Sequence, residues 1–185
     1  MNDLKNSMPG LNVNWEDYSH LFREMSIPAK TLLLREGEIS RKAYFIRKGC
    51  IRLWFNSNGK DITFQFFFEN EAISSIESFR SGQPSVFSIE TIEPSEVLVI
   101  TKKNFDLFMN EVPGYKEYVQ DILFQRLAHY SKLFLSRIRD NPQNRYADLL
   151  KNYPHIVQRV PQHYIASYLG ITPVSLSRIR NKIHR

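Results

Sequence analysis

The chain has 185 residues, of which 42% are hydrophobic and 24% are charged, as is ordinary for a soluble globular protein. No apolar run approaches the roughly 20 residues that a membrane-spanning helix needs, and the polar residues 1–14 lack the apolar core of a signal peptide. Cys50 is the single cysteine, which excludes an intrachain disulfide and a cysteine-ligated metal cluster. These features predict no membrane partner and a reducing, cytoplasmic location.

The net charge of +6 is unevenly distributed along the chain. Residues 137–185 hold nine Lys or Arg against only Asp140 and Asp148, a net charge of +7, whereas residues 1–136 hold 16 bases and 17 acids. A basic segment of this kind favours a polyanionic partner, most simply nucleic acid. On charge alone, a solvated basic surface is an equally good interpretation.

Strand patterns dominate the first half of the chain. Residues 15–25 predict a short amphipathic helix with Trp15, Tyr18, Leu21, Phe22 and Met25 on one side. Runs rich in β-branched and aromatic residues follow, separated by Gly, Asn and Pro turn signals. These runs occupy residues 31–34, 43–47, 51–55, 62–68, 86–92 and 97–101. Many short strands with regular turns predict a small β-barrel or jelly roll.

One interruption of the strand pattern lies between residues 70 and 85. Ser74 and Glu77 have the spacing of a capping box, which predicts a one- or two-turn helix ended by Gly82 and Pro84. The start of such a helix leaves free N–H groups that can hold an anion. A structural turn that covers the edge of the barrel explains the pattern equally well.

Helical patterns fill the second half of the chain. Residues 102–109 predict a short helix, and residues 115–139 predict a long one whose apolar stripe is wide enough for two partners. We expect this stripe to join two copies of the chain through Leu123, Leu127, Tyr130 and Phe134. The alternative is a long helix packed wholly inside a monomer. A short helix at residues 143–151 and an extended run at 156–160 complete the pattern.

Residues 162–181 carry the strongest signal, a helix-turn-helix motif. The first helix is predicted at residues 162–169, where the small Ala166 allows close approach, and Gly170 supplies the positive φ of the turn. Thr172 is the predicted cap of the second helix, and Pro173 its first residue. The apolar residues that should bury the hinge are Ile165, Leu169, Ile171, Leu176 and Ile179. A plain helical hairpin is the alternative.

The second helix of such a motif enters the major groove of double-stranded DNA. Arg178 is suited to guanine, Asn181 to adenine or a phosphate, and Pro173 and Val174 to thymine methyl groups. Phosphate contacts are expected from polar and basic side chains of the same helix. The predicted DNA-binding residues are Thr172, Pro173, Val174, Ser175, Ser177, Arg178, Asn181 and Lys182.

A barrel, a long helix and a C-terminal helix-turn-helix, in that order, resemble the Crp/Fnr family of transcription regulators. The residues that carry the resemblance, beside the helix-turn-helix, are Glu36-Gly37-Glu38, Tyr44 to Gly49 and Ile51-Arg52. The resemblance implies an α+β protein with a cyclic-nucleotide-binding-like domain at residues 1–114, a dimerisation helix at 115–139, and a winged-helix-like DNA-binding domain at 140–185. It also implies a homodimer that binds an inverted-repeat operator.

Three departures from the family concern the effector and the reading helix. Ser75 stands where cyclic-AMP-binding members have a Glu for the ribose, and Ser85-Val86 stands where they have an Arg-Ser pair for the phosphate. The cysteine cluster of the oxygen-sensing members is missing, and Pro173-Val174 replaces a leading Arg-Glu pair. We therefore expect no cofactor and no cyclic AMP, and we place any effector near Ser74, Ser75 and Ser85.

Two other functions remain open from the sequence. The domain at residues 1–114 could be a ligand-free scaffold, in which case the protein binds DNA constitutively or under control of a partner. A cupin-like enzyme needs several His and Glu side chains inside a barrel. None of the five histidines lies between residues 31 and 101, so we expect neither a metal site nor catalysis.

Overall fold

The computed structural model describes residues 13–14 and 16–183, and eight strands occupy the first half of this part of the chain. Six of these strands lie on the apolar, β-branched runs of the sequence. The other two are the first strand, where a helix was predicted, and a very short strand before residue 76 that no pattern predicted. The strands are β1 (Phe22–Ile27), β2 (Leu32–Leu34), β3 (Lys42–Lys48), β4 (Ile51–Ser57), β5 (Lys60–Phe67), β6 (Ala72–Ile73), β7 (Ser88–Thr91) and β8 (Ser95–Thr101).

The strands form two four-stranded sheets with the orders β1-β8-β3-β6 and β2-β7-β4-β5. These orders are those of a jelly roll, one of the two folds predicted. The sheets are not closed into the single barrel that was the other prediction. Closure would need hydrogen-bonded pairing between the outer strands of the two sheets, and each sheet instead ends at its own edge strands.

The predicted helix at residues 15–25 is wrong. Only Ser19–Leu21 form a single 3-10 turn, and Phe22–Ile27 continue as β1, while Trp15 lies outside the described residues. Strand β1 pairs antiparallel with β8 from Phe22 opposite Ile100 to Ile27 opposite Ser95. This long-range ladder satisfies the backbone groups of the segment, so tertiary pairing outweighs the local helical spacing.

Seven helices occur in the described residues. The helices predicted at 102–109, 115–139 and 143–151 are present with ends that shift by two residues or fewer. The extended run predicted at 156–160 is wrong, because Pro154 starts a helix there and occupies its first turn, where a missing N–H costs little. The helices are α1 (Ile76–Ser81), α2 (Lys102–Glu111), α3 (Tyr115–Arg139), α4 (Pro142–Asn152), α5 (Pro154–Arg159), α6 (Gln162–Leu169) and α7 (Pro173–Ile183).

The chain packs as two compact units. Unit 1 runs up to Trp54 and includes Phe66–Leu123, while unit 2 combines Phe55–Gln65 with the chain from Phe124 onward. In unit 1, Phe108 is fully buried and makes edge-to-face contacts with the rings of Tyr18, Phe22 and Tyr115. Such ring pairs add about 0.5–1.5 kcal/mol each beyond the area they bury, so they fix α2 and the start of α3 on the sheet.

The turn between β3 and β4 requires glycine for two reasons. Gly49 has a φ of 112°, and a Cβ atom there would lie 2.7 Å from Cβ and 2.8 Å from Cα of Ser95. We expect Gly49→Ala to lower the free energy of unfolding by roughly 2–4 kcal/mol, the combined effect of backbone strain and overpacking.

Gly37→Ala is the matched control for this variant, measured by the same urea titration. Gly37 also has a positive φ, 89°, but a Cβ there would meet open space. The control should therefore lose only the strain, about 1–2 kcal/mol. Equal losses for the two variants would show that the contact with Ser95 has no energetic weight.

Candidate nucleic-acid interface and effector site

Helices α6 and α7 are joined by a tight turn with a defined hydrogen-bond pattern. Gly170 has a φ of 69°, its N–H donates to Ser167 O at 3.0 Å, and the N–H of Ile171 donates to Ala166 O at 2.9 Å. These two bonds form a Schellman motif, which ends α6 and reverses the chain. Thr172 Oγ1 then accepts from the N–H of Ser175 at 3.1 Å and caps α7. The predicted turn and cap are both present.

The hinge between α6 and α7 is apolar and largely buried. Ile165, Ala166, Leu169 and Leu176 are buried, as is Tyr168. Ile171 and Ile179, also predicted for the hinge, are only half-buried. The buried side chains fix the angle between the two helices, so the outward face of α7 is presented by a packed support.

That outward face carries polar, basic and small apolar side chains and no acid. Val174 is 61% exposed, and Ser175 is half-buried with its hydroxyl 3.0 Å from that of Thr172. The other predicted DNA-binding residues are exposed, namely Thr172, Pro173, Ser177, Arg178, Asn181 and Lys182. Because α7 holds no Asp or Glu, nothing on the helix itself repels a phosphate backbone.

The carbonyl end of α6 is held by two arginines that sequence reasoning counted only as positive charge. Arg137 Nη2 donates to Tyr168 O at 2.8 Å. Arg145 Nη2 donates to Leu169 O at 3.0 Å, and its Nη1 donates to Asp140 O at 2.5 Å. Guanidinium groups at this end complement the negative pole of the helix. Burial raises the pKa of Tyr168 to about 12, so its phenol stays neutral at physiological pH.

The same turn of α6 is bonded to the hairpin of β4 and β5, within unit 2. The N–H of Thr63 donates to Ser167 Oγ at 2.8 Å, and Ser167 Oγ donates to Asp61 O at 2.8 Å. One hydroxyl thus satisfies a donor and an acceptor of the strand β5 backbone. No spacing in the sequence indicated this contact, because it joins residues about 100 positions apart.

The predicted dimerisation residues on α3 do not all face the same way. Leu123, Leu127 and Phe134 are 40%, 62% and 65% exposed, whereas Tyr130 is half-buried with its ring 5.2 Å from that of Phe64. Ile138, which ends the predicted stripe, is 70% exposed. Two further exposed apolar residues on α3, Phe124 and Leu135, were missed as seam residues. A stripe at spacings of three and four is typical of a helix that pairs with another helix.

The three serines predicted for an effector lie around the start of α1. Ser75 and Ser85 are buried, and their hydroxyl oxygens are 2.7 Å apart, while Ser74 is half-buried. The predicted capping box of Ser74 and Glu77 is wrong. Ser75 is the residue that precedes the helix, and its side chain does not cap it, since its hydroxyl is engaged with Ser85.

No basic side chain takes part in this serine pair in the described residues. Ser85 Oγ also lies 2.7 Å from Phe87 O, which it can reach as a donor. Arg52, one candidate to replace the family's phosphate-binding Arg, is buried and bonded to Glu90, with Nε 2.7 Å and Nη2 2.6 Å from Oε2. Its charge is therefore already neutralised by a neighbouring strand.

No helix between residues 16 and 183 is both long enough and apolar enough to cross a membrane. Over the same residues, three or more His, Cys, Asp or Glu side chains do not gather in a group that could hold a metal ion.

Comparisons with known proteins agree with this architecture. Residues 24–111 match the family model of the cyclic nucleotide-binding domain, and no curated protein matches the sequence. The c-di-GMP responsive global regulator CLP of Xanthomonas campestris aligns with a TM-score of 0.75 at 14% identity, covering 92% of this chain and 90% of that chain.

Two further solved structures align over most of the chain. FixK2 of Bradyrhizobium japonicum has a TM-score of 0.75 at 18% identity, covering 88% of this chain and 84% of that one. A protein of Eubacterium rectale described as a Crp/Fnr-family regulator has a TM-score of 0.75 at 16% identity, covering 97% and 88%. Residues 24–111 are thus similar to the cyclic nucleotide-binding domain, and the chain has the fold of solved Crp/Fnr-family regulators.

Proposed function

We propose that this protein is a homodimeric transcription regulator that reads an inverted-repeat DNA operator with α7. The proposal rests on the outward face of α7, which is exposed and holds no acid. The helix follows a turn that hydrogen bonds hold in place. In a helix-turn-helix the second helix lies in the major groove, with its N-terminal residues on base edges. We assign the protein to the cytoplasm and assign it no catalytic activity.

The side chains of α7 divide into two roles under this proposal. Arg178 is exposed and unbonded to any acid on its helix, so its guanidinium can bind guanine O6 and N7 bidentately. Pro173 and Val174 offer apolar contacts to thymine methyl groups, and Asn181 can reach adenine or a phosphate. Lys182, Ser177, Thr172 and Ser175 are suited to phosphates, which position the helix without reading sequence.

We assign the second copy of the chain to the apolar stripe on α3. Four apolar side chains of this stripe are each at least 62% exposed, namely Phe124, Leu127, Phe134 and Ile138. An exposed apolar stripe of this kind favours association with a second copy of the chain. Two identical α7 helices related by a twofold axis would match an inverted repeat with half-sites about 34 Å apart.

We propose that cyclic AMP is not the effector. The serine pair of α1 offers hydroxyl groups where a cyclic phosphate needs a cation, and Arg52 is committed to Glu90. An alternative function follows from the same observation. Because Ser75 and Ser85 satisfy each other, the domain is equally consistent with a scaffold that holds no ligand, in a protein that binds DNA constitutively or under control of a partner.

The first prediction from the proposed function separates the base-reading role of α7 from phosphate binding. Arg178→Ala should cost roughly 1–3 kcal/mol per half-site and relax preference at one base pair, because it removes a base-edge contact. Lys182→Ala is the matched control, and it should weaken selected and random DNA alike and lower the salt slope by about one unit. The measurement is a selection of bound sequences from a random pool, followed by titrations at several salt concentrations. If Arg178→Ala weakens all sequences equally, α7 is not the reading helix.

The second prediction tests the dimer. Leu127→Glu places an unpaired charge in the apolar stripe, which should weaken association by about a hundredfold or more. Gln125→Glu adds the same charge at an exposed position of α3 outside the stripe and is the control. Tyr130 is unsuitable, because its ring packs on Phe64 within the chain. Sedimentation at micromolar concentration should show a dimer for wild type and control and a monomer for Leu127→Glu. A monomeric wild type would contradict the proposal.

The third prediction concerns cyclic nucleotides. A cyclic phosphate without a cation forfeits a charge-assisted contact of roughly 1.5–3 kcal/mol, which is about tenfold to over a hundredfold in affinity. Calorimetry with cyclic AMP and cyclic GMP should therefore give no saturable binding at low-micromolar concentration. Tight binding of either nucleotide would mean that a basic side chain reaches the Ser75–Ser85 pair in the complex.

A further inference from the structure

A cavity lies in unit 1, formed by residues other than the serines near which an effector was predicted. Its three walls are residues 39–42 before and at the start of β3, the end of α1 from Phe79 to Gly82, and residues 101–103 at the start of α2. The cavity measures about 740 Å³, within the range of about 300–1,000 Å³ that is usual for small-molecule sites. Neither Ser75 nor Ser85 lines it.

Five bases and no acid line this cavity. The bases are Arg41, Lys42, Arg80, Lys102 and Lys103. Lys102 bonds Asp106 outside the cavity, with Nζ 2.6 Å from Oδ1. The other four make no ion pair with any residue the structure describes. Residues 1–136 as a whole hold 16 bases and 17 acids, so this concentration of positive charge is local.

The walls of the cavity are tied together by hydrogen bonds. The N–H of Ser40 donates to Ser78 Oγ at 2.9 Å, which joins the first wall to α1. The N–H of Lys102 donates to Arg41 O at 2.9 Å, which joins the first wall to α2. Phe79 closes the floor against Phe105, with ring centroids 5.2 Å apart. Because these bonds join the walls to one another, the walls keep their arrangement without a ligand.

Like charges that line one cavity repel one another, and a bound anion would reduce that repulsion. Arg41 and Arg80 supply planar forks for phosphate oxygens, and Lys42 and Lys103 supply point charges. Ile39 is 40% exposed at the edge and offers apolar contact. We propose that this cavity, termed the basic groove, binds a small ligand with two or more phosphate groups. We assign a small ligand rather than a DNA backbone or an acidic protein segment because the three walls define a volume that is usual for small-molecule sites.

The test uses the full-length protein and tripolyphosphate, titrated by calorimetry at constant ionic strength. We expect one saturable site per chain. The double variant Arg80→Gln, Lys103→Gln should weaken binding by about a hundredfold, since two charge-assisted contacts are lost. The double variant Arg35→Gln, Lys48→Gln removes the same net charge from exposed positions outside the groove, and it should change affinity by less than about threefold.

Other outcomes would overturn the basic groove. Absence of saturable binding to wild type, or equal losses for the two double variants, would reduce the groove to a solvated basic surface. Loss of binding in Ser85→Ala would place the anion at the serine pair instead. Binding of a DNA duplex or a glutamate-rich peptide that depends on Arg80 and Lys103, without binding of tripolyphosphate, would assign the groove to a macromolecule. Recognition of the operator by α7 is a separate readout and should survive in all groove variants.

Discussion

The last turn of α6 is the constraint on which the exposed face of α7 depends. A helix ends with carbonyl groups that have no partner inside the helix, and those of Tyr168 and Leu169 are satisfied by Arg137 and Arg145. Ser167, one residue earlier, bonds the β5 backbone through its hydroxyl. Three consecutive residues are therefore fixed by the end of α3, by α4 and by the hairpin. Gly170 comes directly after Leu169, so these contacts determine the direction in which α7 leaves the turn.

These contacts leave only part of the positive charge of residues 137–185 available to a partner. Arg137 and Arg145 donate hydrogen bonds to backbone carbonyls, and Arg139 Nε donates to Asp140 Oδ1 at 2.9 Å. That hydrogen bond holds the pKa of Asp140 below its usual range. The charge available to a polyanion is thus concentrated on α7, where Arg178 and Lys182 are exposed. Part of the charge from which a polyanionic partner was predicted therefore serves folding instead.

The helix-turn-helix was predictable because its determinants are local. A glycine with positive φ, a threonine cap and a proline at the first helical position act within a few residues of one another, and all three lie where the sequence placed them. The strand at Phe22–Ile27 was not predictable in this way, because its helical spacing is overruled by pairing with β8 some 70 residues later. The prediction that Tyr130 faces a second chain disagrees with the structure for the same reason, because a long-range contact covers its ring. A stripe identifies apolar residues on a helix, but only the contact with Phe64 decides which of them stay covered.

The prediction that placed Ser75 and Ser85 near one effector site came from the family pattern rather than from spacing. Their mutual hydrogen bond shows what the two substitutions do together. If a Glu and an Arg faced each other in this buried position, each would need the other or a ligand to offset its desolvation. The two serines instead form a hydrogen bond in this buried position without any charge that needs a partner. Four bases of unit 1 that pair with no acid of the described residues, Arg41, Lys42, Arg80 and Lys103, instead line the basic groove, on the far end of α1 from the serines. In this chain the polar pair that α1 needs for packing and the cations that an anion needs for binding are therefore separated, and they can change independently of each other.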